Sequence, residues 1–135
     1  WPTVCRLQNG ELLIAVSAGR ERHVCPFGQV HLLRSSDDGR TWSKPDVVAN
    51  GLLDDRDAGI MQTSKGTVLV NWFTSIAWLR SLEHAEASGP KALSEWDDGY
   101  LARTQKIRNL ITPEIIEREL GIWVRRSTRF AWMAG

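Results

Sequence analysis

Two short stretches carry the side chains with the greatest chemical capacity. The first, Gly19-Arg20-Glu21-Arg22-His23, lies in a polar segment, residues 18–28, that is broken further on by Cys25-Pro26-Phe27-Gly28. The second is Asp54-Asp55-Arg56-Asp57. Arginine presents a planar fork that can hold a carboxylate bidentately, and histidine can act as a general acid near neutral pH. Each residue also has a plain reading: a loop histidine is often only solvated, and an Arg56–Asp57 pair can simply fix a turn that Asp54 and Asp55 cap. Consecutive strand residues face opposite ways, so at most one of Arg56 and Asp57 is expected to point into a pocket.

These stretches must be positioned by strands. Residues 3–8 are β-rich, Asn9-Gly10 is a strong hairpin signal, and residues 11–17 form a Leu/Ile/Val run suited to a buried strand. Gln29 to Arg34 reads as a third strand and Asp46 to Ala49 as a fourth. The pattern then returns: Ala58 to Trp72 aligns with Pro2 to Val16 at an offset of 56, placing Gly66 on Gly10 and Leu69 on Leu13. Helical spacing from Ile76 to Ala85, closed by Gly89-Pro90, interrupts the second unit. A further helix follows, with Thr112 as N-cap, Pro113 at its first position and Gly121 as stop. Ile122 to Thr128 then repeats Val30 to Ser36, predicting the second unit's third strand.

Between the third and fourth strands lies Ser35-Ser36-Asp37-Asp38-Gly39-Arg40-Thr41-Trp42. Short polar Ser35 and Asp37 can bond nearby backbone N–H groups, Gly39 offers a positive φ, Thr41 favours the next strand, and Trp42 is expected to bury its ring against the sheet. The pattern Ser-x-Asp-x-Gly-x-Thr-Trp resembles the Asp-box of sialidase-like β-propellers. With the Asn9-Gly10 hairpin, residues 17–20 and residues 53–60, the resemblance spans residues 1 to about 128. It implies a mainly β fold, part of a six-bladed propeller. Blade 1 would cover about residues 1–50 and blade 2 about 57–128, with a helical insertion at about 76–120 and a divergent tail at 129–135. A second box is due after Ser127-Thr128 and is absent, so the expectation is an N-terminal fragment of about two blades. Repeat folds usually need at least three units for stability.

The resemblance further implies an exo-glycoside hydrolase that removes terminal sugars, sialic acid or a related sugar, from glycans. Arg20 matches an arginine that lines the pocket in that family. The loop after it should hold an acid/base Asp, but the titratable residues there are Glu21 and His23. The substrate-binding candidates are thus Arg20, Glu21 and Arg56, and the catalytic candidates His23 and Asp57. The family's Tyr nucleophile and its further arginines are not matched, and the lone Tyr100 falls in the insertion, so the fragment by itself is expected to be inactive. A non-catalytic propeller that binds glycan or protein is the alternative, since a binding module needs the arginine but not the acid. The family resemblance suggests a secreted or periplasmic protein, a matter on which the sequence itself carries no signal.

The remaining features restrict the partners. A net charge of +1 over 135 residues, with no basic stripe, argues against a nucleic-acid partner. No apolar run approaches 18 residues, so no membrane segment is expected. His23, Cys25 and His31 have no metal-site spacing, and neither a cofactor nor a metal is expected. Cys5 and Cys25 read as free thiols, and Trp96-Asp97-Asp98-Gly99 reads as a turn. The sequence leaves the oligomeric state open.

Overall fold

In a computed structural model, the backbone is described for residues 1–125 and 129–133 and the side-chain environments for residues up to 120. Two antiparallel sheets and a helical segment make up the described residues. The first sheet has four strands in sequential order, β1 (Thr3–Arg6), β2 (Leu12–Ala18), β3 (Gln29–Ser35) and β4 (Asp46–Ala49). The second has the order β5 (Asp54–Gln62), β6 (Val68–Ser75) and β7 (Arg129–Met133). Four helices, α1 (Ala77–Ser88), α2 (Pro90–Leu93), α3 (Asp98–Leu110) and α4 (Pro113–Arg125), run between β6 and β7.

The internal repeat is a repeat of backbone geometry. In the first hairpin Leu7 N–H donates to Glu11 O and Gly10 N–H to Leu7 O; in the second Thr63 N–H donates to Thr67 O and Gly66 N–H to Thr63 O. Gly10 and Gly66 both take positive φ, 92° and 86°, where a side chain would be strained. The strand registers correspond as well: Thr3 faces Ala15 as Gly59 faces Asn71, and Arg6 faces Leu12 as Gln62 faces Val68. The two sheets close on one core of Ala15, Val30, Leu32, Ala58, Val70 and Trp72, with Ile60 and Val48 packed against it. Polar ties join them, Thr3 Oγ1 donating to Ala58 O at 3.1 Å and Gln8 N–H to Gln62 Oε1 at 2.8 Å.

Three departures from the sequence reading have physical causes. The second unit's first strand begins at Asp54 rather than near Asp57, because Asp54, Asp55 and Arg56 find buried partners that satisfy their polar groups. The strand expected from Ile122 is instead the end of α4, which runs through Gly121 to Arg125. One interior glycine costs a helix only about 1 kcal/mol, and the apolar spacing Ile116, Leu120, Val124 continues past it. The partner of β6 is therefore Arg129–Met133, with Leu69 facing Trp132 and Val70 facing Ala131. That places residues 129–133 of the tail inside the sheet, while the expected copy at Arg126, Ser127 and Thr128 lies outside the described residues. Finally, Trp96-Asp97-Asp98-Gly99 starts a helix: the Asp97 carboxylate accepts from Tyr100 N–H at 2.9 Å and caps α3.

The Ser35–Trp42 turn is held by its own side chains. Ser35 Oγ donates to Asp37 Oδ1 at 2.8 Å and accepts from Gly39 N–H at 2.8 Å. The Asp37 carboxylate accepts from Thr41 N–H at 2.9 Å and from Thr41 Oγ1 at 2.6 Å. The hydroxyl of Thr41, then its amide, hold the Asp37 carboxyl at about 2, below its ordinary 3.8. Trp42 does not bury its ring in the sheet. It is 36% exposed, and its Nε1 donates back to Gly39 O at 3.1 Å, so the indole closes the turn over Gly39.

Candidate functional site

Residues 19–28, which join β2 to β3, meet the start of β5 around the carboxylate of Asp54, which is fully buried. Arg20 Nη1 donates to Asp54 Oδ1 at 2.6 Å and Arg20 Nη2 to Oδ2 at 2.9 Å, the fork-on-carboxylate geometry in which both charges are well satisfied. The same Nη2 reaches His23 O at 2.5 Å. Cys25 N–H, at 3.5 Å, points at Asp54 Oδ2. Arg20 thus folds the loop back onto β5.

Arg56 lies on the other side of Asp54, its Nη1 3.5 Å from Oδ2, and its guanidinium sits over the Phe73 ring with Cζ 5.7 Å from the centroid. Its Nη2 is 3.4 Å from His23 Nε2, and its Nε is 3.7 Å from Asp57 Oδ2, an ion-pair separation too long for a hydrogen bond. Both Arg56 and Asp57 turn to this side because β5 is irregular here. The register slips between Arg56 and Gly59, and Asp57 takes a φ of 54°. Such a bulge breaks the strict alternation of side chains, so the expectation that only one of the pair could face a pocket does not hold. Ser17 Oγ fixes the strained residue by accepting from Asp57 N–H at 2.7 Å.

Arg20, His23, Arg56 and Asp57 are therefore brought together, with His23 exposed at the rim. Glu21 is not among them. It turns outwards and pairs with Arg103 of α3 at 2.6 Å, part of a contact that clamps the loop from outside. Arg22 lies over both the Trp96 and Tyr100 rings, 4.8 Å and 4.7 Å from their centroids, and Phe27 packs edge-on against Tyr100 at 5.8 Å. Tyr100 is buried, its hydroxyl donating to Val24 O at 3.4 Å. Burial, reinforced by the neighbouring Cys25, pushes its phenol far up and keeps it protonated, so it braces the loop.

Asp54 is the residue that sequence reasoning placed only as a turn cap. Its partner Arg20 is 34 positions away, and only Gly28 gives a local hint: a Cβ there would strike Asp54 Oδ1 and come within 2.7 Å of Arg20 Nη1. Asp55 does behave as a cap, its Oδ2 accepting from Gly51 N–H at 2.7 Å while Oδ1 accepts from Thr74 Oγ1 at 2.7 Å.

A cleft of about 370 Å³ lined by Phe73, Thr74, Ile76, Arg80 and Leu120 is built by none of these cluster residues and adjoins them through Phe73, beneath Arg56, and Thr74, bonded to Asp55. It is largely apolar and offers little chemistry beyond Arg80, so the polar cluster remains the better candidate site. Among the described residues, no three His, Cys, Asp or Glu side chains gather as metal ligands, and no helix is long and apolar enough to cross a membrane. No protein-family model and no curated protein matches the chain.

Proposed function

We propose that the chain supplies two adjacent blades of a sialidase-like β-propeller, with Ser35–Trp42 as its Asp-box, and that the parent protein is an exo-glycoside hydrolase acting on terminal sugars of glycans. The observation that carries this reading is the gathering of Arg20, His23, Arg56 and Asp57 where the 19–28 loop meets the bulge of β5. The matched hairpin registers support the repeat. In this reading Arg56 and Asp57 orient the sugar, and the exposed imidazole of His23 carries a proton to or from the glycosidic oxygen. Tyr100, buried and protonated, does not serve as the nucleophile.

A second reading, a non-catalytic glycan-binding propeller, is favoured by one feature: no Asp that could serve as acid/base lies between Arg20 and Ser35. The purified chain titrated with a panel of terminal-sugar glycosides, read by NMR shifts of the His23 and Arg56 side chains, tests the common core of both readings. Saturable shifts confined to these residues and reduced in Arg56→Ala are expected; absence of binding by every sugar sinks both. Because the chain by itself is expected to be inactive, fluorophore release from a fluorogenic member of the panel that is lost in His23→Ala would overturn that expectation and exclude the binding module.

A further inference from the structure

We infer that this cluster recognises the hydroxyls of an uncharged sugar rather than a sugar carboxylate, an inference that rests on the glycan reading above and narrows its substrate class. A carboxylate needs an arginine whose fork is open. Arg20 spends its fork on Asp54, at 2.6 Å and 2.9 Å, and the Arg20 side chain is only 15% exposed. Arg56 is shared between Asp54, Asp57 and His23. Two guanidinium groups face two carboxylates, so an incoming anion meets no unbalanced positive charge and must approach Asp57, the more exposed of the two acids. Like-charge juxtaposition disfavours that ligand.

What the cluster leaves unsatisfied suits a hydroxyl. Arg56 Nε, on a side chain only 10% exposed, is a buried donor with no hydrogen-bond partner, and Asp57 Oδ1 is a buried acceptor with none. Buried polar groups are rarely left so, and each calls for an explanation. The 3.7 Å between Arg56 Nε and Asp57 Oδ2 is too long for a direct bond, yet one oxygen can stand at about 2.8 Å from both atoms. A sugar hydroxyl there accepts from Arg56 Nε and donates to Asp57 Oδ2, and a neighbouring hydroxyl of the same ring can donate to the unpartnered Oδ1; a carboxylate can do neither to Asp57 because it has no proton to give. With Nε2 accepting from Arg56, the exposed His23 ring carries its proton on Nδ1, which can donate to a neighbouring hydroxyl.

The test compares methyl glycosides of neutral hexoses with the methyl glycoside of N-acetylneuraminic acid, titrated into the full chain at low and high salt. It is repeated with Asp57→Gly, a variant whose residue suits the positive φ and so folds. The neutral glycosides are expected to bind with little salt dependence and to weaken by roughly tenfold in Asp57→Gly. Preferential binding of the acidic sugar, weakened by salt and strengthened in Asp57→Gly, overturns the inference and leaves the glycan reading standing. Neutral-sugar binding indifferent to Asp57→Gly also overturns it, and no binding by any sugar overturns both.

Discussion

Arg20 and Asp54, 34 positions apart, meet in a two-bond ion pair that ties the loop after the first hairpin to the first strand of the second sheet. Asp54 has no exposed surface, and Arg56 approaches the same carboxylate from the other side. Removing one member of such a pair leaves the others buried without compensation. Asp54→Ala is therefore expected to destabilise the chain by about 3 kcal/mol in urea unfolding, and to raise hydrogen exchange in residues 19–28 first. A midpoint equal to wild type would show that Arg20 is satisfied by water and that the pair organises nothing.

The same junction depends on having no side chain at Gly28. A Cβ there meets Asp54 Oδ1, Arg20 Nη1 at 2.7 Å and Asp55 O at 2.8 Å, so neither the backbone nor the paired charges can retreat cheaply. Gly28→Ala is expected to cost about 1–3 kcal/mol, as overpacking does, and to shift the NMR signals of Arg20 and Asp54 together. If those signals stay in place while stability is kept, the close approach of loop and strand is not as described.

What the sequence disclosed and what it hid divide along local and distant interactions. The hairpins at Asn9-Gly10 and Lys65-Gly66, the fourth strand at Asp46–Ala49 and the Thr112-Pro113 helix start rest on neighbouring residues, and they stand where expected. Glu21 stands apart from the cluster that its sequence position suggests, because its partner Arg103 is 82 positions away and nothing near Glu21 announces it. The bulge that turns Arg56 and Asp57 to one side was hidden because Asp57 adopts a backbone conformation that glycine or asparagine usually signals. Gly121 misled in the opposite direction, a helix breaker by type that its flanking apolar spacing overrides.

The Ser35–Trp42 turn should respond to acid in its own way. The Asp37 carboxyl sits at about 2 against an ordinary 3.8, chiefly through the Thr41 hydroxyl and amide. A depressed folded value means the carboxylate's contribution is fully present above pH 3.8 and fades as the pH falls through about 2. The Thr41 amide resonance is accordingly expected to hold steady down to about pH 4 and to titrate with a midpoint near 2. In Asp37→Asn that transition should vanish. A midpoint near 3.8 would mean that the Thr41 bonds are not formed in solution.

Asp57 offers the sharpest contrast between stability and function. Its φ of 54° places a side chain where glycine is at ease, and the bulge, the Ser17 bond and the pairing of Gly59 with Asn71 hold it there. Strain kept at a polar cluster is a mark of sites selected for something other than stability. Asp57→Gly relieves the strain and removes a buried acceptor that lacks a partner, while giving up only a 3.7 Å ion pair with Arg56. Glycine's greater freedom in the unfolded chain offsets part of the gain, so the net change is expected to be a stabilisation of up to about 1 kcal/mol, measured by thermal and urea unfolding. Asp57→Ala keeps the strain and should show no such gain. Should Asp57→Gly prove the less stable of the two, the ion pair with Arg56 outweighs the strain, and residue 57 serves the fold before it serves any ligand.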